Sequence, residues 1–152
     1  ELGRGYAPMQ LRLNVRRLQM GARCVGMTRR ALDMMADQAR NRVTFGVRLA
    51  DRQAIQWWVA EAATRMHACK LMVADLAAKL DAGADVRMEA SMLKVEGTEM
   101  AQDILDQAMQ TFGAMGVRPS SRGQRRERFG PWSDSNFCNR ISALEFRRSR
   151  AL

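Results

Sequence analysis

The chain has little of several things. Among its 152 residues, aromatics make up 6% and there are three prolines and one histidine. Only three of its 25 cationic residues are lysines, Lys70, Lys79 and Lys94. Few aromatic and β-branched residues argue against a sheet, and abundant Ala, Met, Leu and Arg favour helix. Three widely spaced cysteines, Cys24, Cys69 and Cys138, show no CxxC or Cys/His spacing. That excludes a zinc-finger type of site, and the odd number excludes a complete disulfide framework. The cysteines are expected as small apolar core residues in a reducing, cytoplasmic setting. No run of about 18 apolar residues occurs, so no membrane span is expected. The opening Glu1-Leu2-Gly3-Arg4-Gly5 has no apolar run of the signal-peptide kind. It also has no Met, which makes a piece of a longer protein the expectation. His67 has no metal ligand or nucleophile spaced to it, so a helix surface or a partner face is expected for it rather than catalysis.

What is present fits one globular domain: 47% hydrophobic and 27% charged residues. The net charge of +9 is uneven. Residues 1–117 hold sixteen cations and thirteen acids, net +3, and residues 118–152 hold nine and three, net +6. Five arginines fall within 118–128, with no aromatic between them. That composition suits a solvated tail better than a nucleic-acid surface, so no nucleic-acid partner is expected.

Hydropathy periodicity divides the chain into four segments. Over 9–43 the stripe Leu11, Val15, Leu18, Ala22, Val25, Leu32, Ala36, Ala39, Val43 keeps a heptad-like step with one gap at Arg29. Gly21 and Gly26 interrupt it and are tolerable where another backbone packs close. Thr44-Phe45-Gly46 breaks the pattern, and Asp51 is a plausible N-cap for the next helix. Ile55, Val59, Ala62, Met66, Cys69, Val73, Leu76 and Leu80 then form an uninterrupted stripe. Gly83 is a natural stop, and Asp85 can cap a third helix over about 86–112. Its apolar residues wrap more than one face, so burial is expected. Trp57-Trp58 is expected to anchor helix packing or a subunit interface, and the methionines to fill the core. The fold class is therefore all-α, an up-and-down four-helix bundle with a short or irregular fourth helix. The expected divisions are a linker over 1–8, three long helices over 9–117, an irregular Arg-rich segment over 118–134, and a short C-terminal helix and tail over 135–152, carrying Phe137, Ile141 and Leu144.

Several motifs in order carry a resemblance. Arg30-Ala31-Leu32-Asp33, then Arg42-Val43-Thr44-Phe45-Gly46, then Asp51-Arg52-Gln53, resemble the C-terminal helical domain of the acyl-CoA dehydrogenase family. Ala90-Ser91-Met92-Leu93-Lys94 and Gln110-Thr111-Phe112-Gly113-Ala114-Met115-Gly116 continue the likeness in order and spacing. The leading Gly3-Arg4-Gly5-Tyr6 resembles the family's approach to this domain. Such a resemblance implies an FAD oxidoreductase of fatty acid metabolism that converts acyl-CoA to 2-enoyl-CoA. It implies a homodimer or homotetramer formed through the helical bundle, with an N-terminal helical domain and a middle β domain that this chain lacks. The implied FAD-binding residues are Arg42, Thr44, Phe45, Leu49, Gln53, Gln110 and Gly113. Arg17 falls where the family has an arginine near the acyl-CoA pocket.

The chemistry suits these types. A guanidinium fork matches a pyrophosphate, a phenyl ring packs on a cofactor, and carboxamides offer donors and acceptors together. Two departures stand out. Ala114 replaces a glycine of the family's Gly-Gly-x-Gly pattern. Gly130 follows Arg128-Phe129, where the family usually has a carboxylate serving as the catalytic base. A positioned base is worth typically 10²–10⁴-fold, and no acid lies at 9–14, the other place where the family carries one. The catalytic residue is therefore unassigned, and the fragment alone is expected to be inactive. The alternative is a noncatalytic helical assembly module that has kept the bundle and lost the base.

Overall fold

A computed structural model of the chain describes residues 5–117. The described chain is all-α apart from one small hairpin. Helix α1 (Tyr6–Asn41) has 36 residues, about 54 Å of rise. It takes in Tyr6, Ala7 and Pro8, expected in the linker; a proline in the first turn removes an N–H that has no helical acceptor. A hairpin of β1 (Val43–Thr44) and β2 (Val47–Arg48) follows, then a single 3₁₀ turn at Leu49–Asp51. Helix α2 (Gln53–Asp81) and helix α3 (Arg87–Phe112) complete the first compact unit. Asp51 does not cap α2. It lies inside the 3₁₀ turn, and Arg52 takes the cap position without a side-chain cap bond.

The other expected punctuation is where the sequence put it. Gly83 has φ +71. Its N–H donates to Leu80 O, and the Ala84 N–H donates to Lys79 O, both at 3.0 Å. Those are the two bonds of a Schellman stop, which satisfies carbonyls that the helix end leaves open. Asp85 Oδ1 accepts the Arg87 N–H at 3.3 Å, as a capping carboxylate should.

Two buried clusters fix the helix directions. Ala31, Leu32 and Met35 of α1 pack with Ala62 and Cys69 of α2 and with Met100, Ile104 and Ala108 of α3. Toward the other end, Leu18 and Leu80 pack against the cluster of Leu76, Val86, Ala90 and Leu93. Numbers rising along α1 and α3 while falling along α2 make an up-down-up arrangement, α1 parallel to α3. The α2 stripe is buried or half-buried at all eight of its positions. Trp58 packs on the first cluster, Trp57 is exposed, and Cys24 and Cys69 are buried.

The α1 face differs from its hydropathy stripe. Leu11, Val15 and Val43 are exposed, and the buried seam runs through Asn14, Gly21, Thr28 and Met35, seven residues apart. The cause is a close crossing with α3. A Cβ built on Gly97 would stand 3.6 Å from Gly21 Cα, so the two glycines face each other. Gly26 has nothing within 4 Å of its missing Cβ and is exposed, so close packing does not account for it. The methionines divide as well. Met27, Met35 and Met100 are in the core, while Met9, Met20, Met88, Met92 and Met115 are exposed.

Charged ties join α2 to α3. The half-buried Arg65 guanidinium donates to Asp103 at 2.7 Å and to Glu96 at 3.0 Å. The Asp103 bond, then Glu96, holds it charged against the opposing effect of burial. Next to it, burial pushes the Cys69 thiol up, with the nearby Glu96 charge adding to the effect. Lys79 binds Asp75 at 2.9 Å and Glu89 at 3.0 Å. That contact lowers the Glu89 carboxyl, and Arg87 lowers Asp85 in the same way.

A second compact unit begins at Gly113. Its one-turn helix α4 (Ala114–Val117) follows Gly113, whose carbonyl accepts the Gly116 N–H at 2.8 Å. The expected Arg-rich segment over 118–134 and the helix with Phe137, Ile141 and Leu144 lie outside the described residues.

Candidate functional site

Four of the site residues singled out in the sequence, Arg42, Thr44, Phe45 and Leu49, fall in the connection from α1 to α2, and Gln53 opens α2. Its hairpin is antiparallel, with Val43 opposite Arg48 and Thr44 opposite Val47. Two residues, Phe45 and Gly46, make the turn, with φ 53 and 76. Positive φ at both central positions is the type I′ geometry that suits a tight hairpin. Glycine takes it freely; phenylalanine does so at a cost of about 1–2 kcal/mol. The Phe45 side chain is 99% exposed, so burial of its own ring does not offset that strain.

The hairpin is fastened at its root. Arg42 O accepts the Leu49 N–H at 2.9 Å. Arg52 reaches back eight residues to donate to Thr44 O at 3.0 Å and Thr44 Oγ1 at 3.2 Å. Arg48 Nε pairs with Asp51 at 3.1 Å, and Gln56 Nε2 donates to Ala50 O at 2.9 Å. Arg48 and Arg52 are therefore engaged locally. The exposed Arg42 and Gln53 side chains have no hydrogen-bond or ion-pair partner among the described residues. Leu49 is half-buried. The sequence did not reveal the Arg52 clamp; its one signal is a third arginine following Arg42 and Arg48 in a short polar connection.

Gln110 joins this end of the molecule through topology. Because α1 and α3 are parallel, the last turn of α3 lies at the same end of the bundle as the α1–α2 connection, and Gln110 is exposed there. Gly113 has φ +60, a backbone state that requires little of glycine and strains other residues. Arg17 is not part of this group. It lies in α1, 25 residues before the C-cap residue Arg42, about 37 Å by helix rise, and donates through one guanidinium nitrogen to Ser91 Oγ at 3.1 Å. His67 is exposed on α2. Among the described residues no cluster of His, Cys, Asp and Glu is placed to hold a metal, and no helix is long and apolar enough to cross a membrane.

Comparison with known proteins decides the family. The model of the acyl-CoA dehydrogenase C-terminal domain matches residues 3–134. The chain belongs to the acyl-CoA dehydrogenase family. It is 42% identical to (R)-benzylsuccinyl-CoA dehydrogenase of Thauera aromatica over 118 residues, 77% of this chain and 29% of that protein. It is 33% identical to the caffeyl-CoA reductase-Etf complex subunit CarC of Acetobacterium woodii over 128 residues, 84% and 34% of the two chains. Among solved structures, an acyl-CoA dehydrogenase from Geobacillus kaustophilus superposes with a TM-score of 0.74 at 26% identity, over 96% of this chain and 40% of that one. Butyryl-CoA dehydrogenase from Megasphaera elsdenii shares the fold, with a TM-score of 0.75 at 24% identity, over 88% and 35%. The chain thus spans about a third of the length of these relatives and corresponds to the C-terminal domain of an oxidoreductase family.

Proposed function

We propose that this chain is the FAD-contacting and oligomerising domain of a cytoplasmic acyl-CoA dehydrogenase-like subunit, one that converts acyl-CoA to 2-enoyl-CoA. The observation that carries the reading is Phe45. A strained, fully solvent-facing aromatic on a fastened hairpin gains its compensation from a planar apolar group outside the chain. Arg42 stands at the root of that hairpin with its guanidinium unpaired, which suits a pyrophosphate. Gln53 and Gln110 bring carboxamides to the same end, so a dinucleotide has a cation, a ring and mixed donor-acceptor groups within one rim. Thr44 and Leu49 shape the hairpin beneath them. Gly113, which begins the second unit, is assigned to the cofactor by the family resemblance alone.

FAD, when bound, supplies the acceptor for the substrate's β-hydride. This chain's own residues bind and orient: Arg42 holds negative charge, Phe45 covers an apolar face and keeps water from it, and Arg17 faces acyl-CoA. The rim points away from the chain's own core, so it meets a cofactor held by a second protomer in a homodimer or homotetramer. Met88, Met92 and Val95, exposed at i, i+4, i+7 on α3, add apolar surface for such assembly. The remaining pocket comes from an N-terminal helical domain and a middle β domain. The alternative, a noncatalytic module, rests on Ala114 and on the missing carboxylate at 118–138 and at 9–14, and the relatives, named as dehydrogenases and reductases, lend it no support.

The test is FAD affinity in the subunit as its gene encodes it. Arg42→Ala removes charge-assisted hydrogen bonds and should weaken FAD roughly tenfold to a hundredfold. Unchanged FAD content and dissociation constant in both Arg42→Ala and Phe45→Ala would contradict the reading. Activity is best assayed with aliphatic and aryl-bearing acyl-CoA substrates side by side.

A further inference from the structure

Arginines along this chain divide by how their charge is met. Arg48, Arg65 and Arg87 are paired with carboxylates at 2.6–3.1 Å. Arg17 is different. It is half-buried on the α1 face turned toward α3, and its hydrogen-bond partner among the described residues is a hydroxyl, Ser91 Oγ, at 3.1 Å. Ser91 in turn donates its single proton to Arg87 O at 2.7 Å, so toward Arg17 it can only accept. Asn14, one turn earlier on that face, is buried with Oδ1 unpartnered and takes no part in holding the guanidinium.

The consequence is specific. A hydroxyl whose proton is committed fixes the direction of one guanidinium N–H without neutralising the cation. Four of the five donors remain for a ligand, and the full positive charge remains with them. A carboxylate in the same place would hold the arginine as firmly and cancel its charge. We infer that Ser91 is a positioning residue: it orients Arg17, uncancelled, toward the anionic and carbonyl groups of an acyl-CoA thioester. This rests on the reading of Arg17 as a substrate-facing residue, and the test separates the two.

Four versions of the full subunit are compared for acyl-CoA binding, KM, kcat and thermal stability: Arg17→Ala, Ser91→Ala, Ser91→Thr and the double variant Arg17→Ala/Ser91→Ala. One neutral hydrogen bond to a charged group sets the scale, so Ser91→Ala should raise KM about three- to tenfold, with Tm little changed. Ser91→Thr keeps the hydroxyl and should restore KM. Adding Ser91→Ala to Arg17→Ala should do nothing further, since Ser91 acts through that arginine. If Arg17→Ala leaves acyl-CoA binding intact, the substrate-facing reading of Arg17 falls and the inference with it. If Arg17→Ala weakens binding but Ser91→Ala does not, or the two effects add, Arg17 keeps its role and Ser91 loses the one assigned here.

Discussion

Replacing Gly21 with alanine tests the packing that sets the bundle's geometry. A Cβ there would stand 2.6, 2.7 and 2.8 Å from Leu93 Cγ, Cδ2 and Cδ1. Carbon atoms prefer about 3.5–4.0 Å, so Leu93 must move by roughly 1 Å. It has little room, being fully buried in the cluster of Leu76, Val86 and Ala90. Overpacking of this kind costs about 1–3 kcal/mol, and the gain in helix propensity returns about 1 kcal/mol. The net expectation for Gly21→Ala is a loss of up to about 2 kcal/mol. The two other glycines inside these long helices provide the controls. At Gly97 the nearest atom is 3.6 Å away, ordinary contact, and at Gly26 there is nothing within 4 Å. Both alanine substitutions should be neutral or stabilising, by up to about 1 kcal/mol. Urea denaturation of the four proteins, read as midpoint shifts at constant slope, gives the order directly. Leu93→Ala should cost less in the Gly21→Ala background than alone, because the new methyl fills part of the void. Equal stability of Gly21→Ala and Gly97→Ala would refute the close crossing of α1 and α3.

Other outcomes follow from particular residues. Phe45→Asn, a residue that tolerates positive φ, should stabilise the chain by about 0.5–1 kcal/mol in urea denaturation while weakening FAD in the full subunit; a destabilised hairpin variant would mean that Phe45 is not strained. The lowered carboxyls of Asp85 and Glu89 bind protons more readily in the unfolded state, so stability rises with pH across the carboxylate range and is lost as pH falls through their folded values. Asp85→Ala should flatten that acid limb, and an unchanged slope in a pH series of denaturation curves would contradict the assignment.

Much of the architecture was legible because its signals were local. The α2 stripe needed only periodicity, and Gly83 and Asp85 mark the α2–α3 turn by backbone chemistry. The first half of α1 was misplaced on the helix surface for a physical reason. Where two backbones approach closely, the buried positions are small, so Gly21 and Thr28 mark a seam that hydropathy assigns to solvent, while Leu11 and Val15 stand outside it. The hairpin escaped periodicity because its strands are two residues long, and its tip places a phenylalanine against its own backbone preference. Residues of the candidate site within 42–53 were legible as one contiguous motif. Gln110 joins their end of the bundle only through the parallel setting of α1 and α3. The Arg17–Ser91 contact spans 74 positions and needs the same topology.

The most direct trial of the whole account is an experimental structure of the assembled subunit with FAD bound. The account predicts that Phe45 keeps its positive φ while its ring passes from full exposure to burial against cofactor or a neighbouring protomer, with Arg42 within hydrogen-bonding distance of a phosphate oxygen. A Phe45 ring still facing solvent, with Arg42 far from every phosphate, would contradict it.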